Sequence, residues 1–334
     1  THRSVVFSGI QPTGSIHLGN YFGAIRQWVD LQNDESKCCI FSVADLHSIT
    51  MRTEPEQLKS NIKLVTATLL ASGLDPEKCI LFQQSSVSQH TLFSWILGCF
   101  STMAELRHLP HFKEKSATLK TVPLGLYVYP VLQTADILLY KANEVPIGED
   151  NMPHLAFAQH LCNKFNNIFK ETFPVPMPVT IEPAFAARIK SLRNPTKKMS
   201  KSEPDSKSRI DLTDEPDIIT EKIKKALTDF NSTVTFDPVN RPGVSNLIII
   251  HSLLTQTPVE KICENSRNLT TAQYKLILAD VIIEHFKPIR RKMAELLDDQ
   301  IYLNTVLNEG AIKASVIAER TIREVKEAMG FVLS

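Results

Sequence analysis

Glycine is scarce in this chain, with 11 in 334 residues, about half the usual ~7%. Four of the 11, Gly9, Gly14, Gly19 and Gly23, fall within fifteen positions. They begin just behind Val5-Val6-Phe7, a β-branched and aromatic run that reads as a buried strand. Gln11-Pro12-Thr13-Gly14 is turn chemistry. From Tyr21 onward, Tyr21, Phe22, Ile25, Trp28, Val29 and Gln32 recur at three and four, with Arg26, Gln27 and Asp30 on the opposite face, which is an amphipathic helix. A strand, a Gly-rich turn and a helix N-terminus make an anion site, because free backbone N–H groups and the helix dipole favour phosphate. His17 and Asn20, three apart, can point from one side of that helix start. Alone, such a turn is as readily a plain strand–helix connection.

A second chemical signal lies about 180 residues later. Arg188, Lys190, Arg193, Lys197, Lys198 and Lys201 place six positive charges in fourteen residues, without an acid among them. Within residues 194–205 Met199 is the one large apolar side chain, so the segment is expected to be a mobile loop that cannot bury itself. Such a run is usually a solvated face or an RNA-contacting patch. Two ammonium groups three apart could instead close over a polyphosphate and neutralise charge as it leaves. A third signal is Asp136, the one carboxylate in the apolar stretch Leu126–Tyr140, where Tyr129, Gln133, Asp136 and Tyr140 share a helix face. Its alternatives are a structural carboxylate paired with a nearby arginine, or a buried acceptor for a substrate donor.

The elements around these residues follow from periodicity. Strands are expected at Cys38–Val43, Cys79–Phe82, Val145–Ile147 and Pro178–Ile181. Helices are expected at Glu56–Ala71, Gln89–Phe100, Leu126–Tyr140 and Met152–Phe169. That alternation predicts an α/β fold with a doubly wound parallel sheet. After a shift near residues 205–214 helices dominate, at Pro216–Leu227, Ser245–Leu254, Pro258–Asn265, Thr271–Leu297 and Gly310–Met329. Pro288 should kink or split the fourth of these. The length suits about two domains. Apolar residues make up 43%, charged residues 22%, and the net charge is +1. No apolar run exceeds four residues, which excludes a membrane-spanning helix, and any nucleic-acid contact must come from local patches. Six cysteines without a CxxC read as reduced and mostly buried, pointing to an intracellular compartment. The histidines at 108/111 and 154/160 lack partner cysteines, so no structural metal is expected. The chain begins at Thr1 rather than methionine, as after removal of a leader or trimming.

His17-Leu18-Gly19-Asn20 and Lys198-Met199-Ser200-Lys201-Ser202 together resemble the two signatures of class I aminoacyl-tRNA synthetases, the second matching KMSKS letter for letter. Stretches 7–14, 19–24, 112–116, 135–140, 146–150 and 195–202 resemble bacterial-type tryptophanyl-tRNA synthetases, especially the mitochondrial enzymes of animals. The resemblance covers nearly the whole chain. It implies a Rossmann-like catalytic domain at 1–210, with a helical insertion at about 102–170 carrying substrate and dimer contacts. An α-helical region at 211–334 would read the tRNA anticodon. The implied partners are L-tryptophan, tRNA(Trp) and a second copy of the chain, without membrane or DNA; the implied cofactors are ATP and Mg²⁺. The implied compartment is the mitochondrial matrix, with the bacterial cytoplasm as runner-up.

Residue by residue, the resemblance assigns Gln11, Thr13, His17, Leu18, Gly19 and Asn20 to phosphates and ribose. Gly148, Glu149 and Asp150 close on the ribose and tryptophan side, and Ile189 offers backbone groups to adenine. Lys198, Met199, Ser200, Lys201 and Ser202 form the loop whose lysines meet pyrophosphate charge, and Lys115 reaches the phosphates from the insertion. Catalysis would fall to His17, Lys198, Lys201 and Lys115. Phe7, Gly9, His47, Tyr129, Gln133, Asp136, Ile147 and Asn151 would hold tryptophan, with Asp136 accepting the indole N–H. In the related tyrosyl enzymes a tyrosine at the position of Phe7 helps bind the substrate hydroxyl, which Phe7 cannot do. Gln133 and Asn151 depart from the Met and Gln frequent in bacteria, which bears on ammonium contacts and inhibitor response. Lys287, Arg290, Arg291 and Lys292 form a basic cluster suited to RNA, or simply to solvent. Two other readings fit parts of the pattern. One is a small-molecule nucleotidyltransferase, disfavoured by the extra helical region and the setting of Asp136. The other is an inactive relative kept as an RNA-binding module, disfavoured by intact His17, Lys198, Lys201 and Asp136.

Overall fold

The structure is a computed structural model and describes residues 3–109, 121–179, 189–201 and 203–331. Among these residues, five strands form one sheet: β1 (Ser4–Ile10), β2 (Lys37–Val43), β3 (Cys79–Gln83), β4 (Glu144–Pro146) and β5 (Met177–Val179). Their order is β3-β2-β1-β4-β5, and every pairing is parallel. The chain therefore winds outward from β1 in one direction and then, after β3, in the other. The crevice of such a sheet opens at the carboxyl ends of the two strands flanking the reversal, here β1 and β4.

A parallel sheet needs both faces covered, and the alternation of side chains shows how. Val6, Cys39, Phe41 and Leu81 enter one core; Phe7, Ile40 and Phe82 enter the other. The first core is roofed by α1 (Leu18–Asn20), a π-helical turn at Tyr21–Ile25, and α2 (Arg26–Gln32). That rod is the helix expected behind the glycine turn, except that Tyr21–Ile25 winds as a π turn rather than an α-helix. α3 (Asp45–Ser48) follows β2, and α4 (Pro55–Ala71) joins the same roof. The second core is covered by α5 (Gln89–Gly98), α7 (Leu124–Leu138) and α8 (Met152–Ile168), with the short α6 (Met103–Arg107) between.

Beyond residue 212 come α9 (Pro216–Lys224), α10 (Pro242–Thr255), α11 (Val259–Asn265), α12 (Thr271–Asp298) and α13 (Gln300–Ala328). They do not form a separate core. Tyr274, Leu278 and Ile282 of α12 join Val6 and Phe41, while Ala314, Ala318 and Ile322 of α13 join Phe7 and Phe82. Two sequence expectations change here. Pro288 does not split α12, which runs for 28 residues; the Arg290 guanidinium donates to the Ile283 carbonyl at 3.0 Å, occupying a carbonyl near the proline. The last helix begins at Gln300, not Gly310. Gly310 lies within it and must be glycine, because a Cβ there would stand 1.8 Å from the Leu81 carbonyl oxygen. The missing side chain lets α13 lie directly against the edge strand β3.

Candidate active site

The carboxyl ends of β1, β2 and β4 open into a cleft of about 600 Å³, within the usual range for small-molecule sites. One half is built for anions. His17 caps α1: its Nδ1 accepts the Asn20 N–H at 3.3 Å, and the Asn20 side chain accepts the His17 N–H. Gly19 is required beside it, since a Cβ would meet the imidazole at 2.9 Å. Gly14 turns the chain with φ of 99°. His17 is 4% exposed, and its pKa falls to about 3 through burial and the charges of Lys201, Arg209 and Lys198. The ring is therefore neutral. With Nδ1 accepting, its proton sits on Nε2, and Nε2–H is the donor it offers a ligand.

The lysine segment is anchored, contrary to the expectation that it cannot bury itself. Met199 is 2% exposed and belongs to the first core. Backbone bonds from Met199 to Ile189 and from Ser191 to Lys197, both 2.9 Å, fold the segment back on itself. Asn246 of α10 pins Lys190 through both backbone groups. Lys201 then reaches Thr13 Oγ1 at 3.4 Å and the Gly14 carbonyl at 3.3 Å, while Lys198 lies 3.4 Å from Asp150. Burial lowers the Lys201 pKa to about 8, Asp211 opposing and Arg209 adding to the shift. The segment 210–212 runs beside 16–18, Leu18 N–H bonding the Ile210 carbonyl and Leu212 N–H the Ile16 carbonyl.

The other half is apolar around one carboxylate. Asp136 is 4% exposed and accepts hydrogen bonds from His47 Nε2 (2.7 Å), His90 Nδ1 (2.6 Å) and Gln84 Nε2 (2.8 Å). Burial opposes its ionisation, yet both histidines hold the carboxyl well below the usual range. Its partners are thus histidines and an amide rather than the arginine considered as the structural alternative. Phe7 stacks on Tyr140, with ring centroids 5.4 Å apart and planes 11° apart. Tyr129 bonds His154 at 2.8 Å.

The expected residues largely converge. Phe7, Gly9, His47, Tyr129, Gln133, Asp136, Ile147 and Asn151 all line the cleft. So do Gln11, Thr13, His17, Gly19, Asn20, Gly148, Asp150, Lys198, Met199, Ser200 and Lys201. Leu18 and Ile189 do not: both side chains are buried in the core, and the Ile189 carbonyl is taken by Met199. Tyr140, expected on the face of Asp136, lies beyond the end of α7 and behind the carboxylate. Lys115, Arg188 and Ser202 lie outside the described residues, as does the Glu149 side chain.

Sequence reasoning missed Gln84, His90, Arg209 and Asp211. Gln84 directly follows β3 at the carboxyl edge, where polar residues are worth reading as site candidates. His90 sits on the buried face of α5 with Phe93 and Leu97, a polar interruption of an apolar stripe.

Residues 1–287 match the family model described as class I tRNA synthetases (W and Y). A tryptophan–tRNA ligase of Caldanaerobacter subterraneus is 44% identical over 328 residues, covering 98% of each chain. The tryptophanyl-tRNA synthetase structure from Mycoplasma pneumoniae superposes with a TM-score of 0.86 at 31% identity, covering 98% of both chains. That from Campylobacter jejuni, complexed with ADP and tryptophan, gives 0.84 at 31%, covering 98% of this chain and 99% of the other. The chain belongs to the class I tRNA synthetases, in the tryptophan and tyrosine family and its bacterial-type tryptophanyl branch.

Proposed function

We propose that the protein activates L-tryptophan with Mg·ATP, releasing pyrophosphate, and transfers the tryptophanyl group to the 3′-terminal ribose of tRNA(Trp). The observation that carries this reading is the meeting, in one cleft, of the His17–Lys201 anion half with the apolar half around Asp136. A tryptophan carboxylate oxygen attacks the α-phosphorus; the new O–P bond forms as the α–β bridging bond breaks and pyrophosphate leaves. The ribose 2′-OH then attacks the adenylate carbonyl and AMP leaves. No enzyme-bound covalent intermediate is needed, so the protein supplies position and charge. The Gly19 N–H at the start of α1 and His17 Nε2–H bind phosphate oxygens. Lys201 and Lys198 meet the charge that develops on pyrophosphate, joined by Lys115 on the resemblance. Mg²⁺ enters with ATP as part of the substrate.

The helical region after residue 210 is assigned to the anticodon. Lys287, Arg291 and Lys292 there are exposed but paired with Glu284 or Glu295, so they are secondary candidates for RNA. Exposed Trp95, Met103 and Leu124 on α5, α6 and α7 support a homodimer through this side. The mitochondrial matrix is the compartment assigned, on the sequence resemblance. Charging tests the whole reading: the protein should load labelled tryptophan onto a tRNA(Trp) transcript and not onto tRNA(Tyr). Absence of charging, or equal charging of both, contradicts it.

A further inference from the structure

An ionised carboxylate offers about four acceptor directions, two on each oxygen. At Asp136 most of them are taken. Oδ1 receives both His90 Nδ1–H and Gln84 Nε2–H, and Oδ2 receives His47 Nε2–H. The donors are themselves fixed. The Gln84 carbonyl oxygen accepts the Leu46 N–H at 3.1 Å, which turns its NH₂ toward Asp136. His90 is fully buried, and its other ring nitrogen lies 2.8 Å from the Tyr140 hydroxyl. Tyr140 in turn stacks on Phe7 of the cleft floor.

We propose that His90, braced by Tyr140 and assisted by Gln84, is a positioning residue that saturates Oδ1 of Asp136 and leaves one acceptor, on Oδ2, for a substrate bearing a lone N–H donor. This deepens the tryptophan reading and rests on it. Saturation has a chemical consequence. A carboxylate with several open directions can turn toward differently placed donors or bind water when a substrate lacks one. With Oδ1 closed, a ring without a donor leaves the remaining direction unpaired in a buried site, which is where discrimination is strongest.

The experiment compares tryptophan with its isostere in which sulfur replaces the indole N–H. It uses ATP–pyrophosphate exchange and, independently of turnover, calorimetric dissociation constants. Wild-type exchange with tryptophan reports on the functional reading; the tryptophan-to-isostere ratio reports on the clamp. In His90→Leu the ratio is expected to fall at least about tenfold, mainly through KM for tryptophan. His90→Asn keeps an N–H near the Nδ1 position and should stay within about threefold of wild type. Tyr140→Phe, which removes only the brace, should give an intermediate loss and serves if His90→Leu does not fold. Equal losses for tryptophan and the isostere, with the ratio unchanged in His90→Leu or Tyr140→Phe, would overturn the proposal.

Discussion

Lys201 carries a charge less secure than that of a surface lysine, because the loop that aims it at Thr13 and Gly14 also buries it. With a pKa of about 8, the free enzyme loses this ammonium as pH rises through that value. The value of kcat/KM for ATP tracks the ionisation of free-enzyme groups. It should therefore fall above about pH 8, and the fall should vanish in Lys201→Arg, whose guanidinium stays charged. A limb unchanged in that variant would show that another group titrates. Lys201→Ala should lower adenylate formation about 10²–10³-fold while leaving the tryptophan dissociation constant nearly unchanged; parallel losses would contradict a role confined to phosphate. The two lysines were legible because charge density and spacing are local properties. The pairing around Asp136 was not, although His47 itself was legible as a site residue. His47, Gln84 and His90 come from three segments whose neighbourhood exists only once β2, β3 and α5 are packed, and no spacing in the chain records it.

At the level of elements, the clearest dependence is between α13 and β3. The small residues Gly310, Ala311, Ala314 and Ala318 face the sheet, and at Gly310 the carbonyl of Leu81 occupies the place of a side chain. Gly310→Ala should force helix and strand apart and cost about 1–3 kcal/mol or more, as overpacking does. A thermal melt measures it, and a melting temperature equal to wild type would show that the helix shifts freely. Glycine usually marks a helix end; close packing here makes the opposite use of it, inside the helix. β1 to β4 fall within one to three residues of the expected strands, since runs such as Cys38–Val43 are apolar enough to be buried on both faces; the expected end of the last strand, at 180–181, lies outside the described residues. The π turn at Tyr21–Ile25 carries no comparable signature, because its apolar spacing is also that of an α-helix.

Over the whole molecule, strands give way to helices after residue 212 among the described residues, yet both cores run across that point. A fragment ending at residue 210 would bare the surfaces that α12 and α13 cover, and it should show no cooperative unfolding transition. A sharp transition in that fragment would mean that the sheet and its first helices are self-sufficient. The same continuity brings Asn246 of α10 onto the lysine segment and so ties the helical region to the anion half of the cleft. On the proposed reading, this cleft joins one phosphate-binding half to one pocket for a ring with a single donor. Amino-acid-dependent ATP–pyrophosphate exchange tests it most directly, with tryptophan, tyrosine and phenylalanine run separately in the presence of Mg²⁺. Exchange is expected with tryptophan alone. Exchange with tyrosine would contradict the roles given to Phe7 and Asp136, and exchange with none, in folded protein, would contradict catalysis itself.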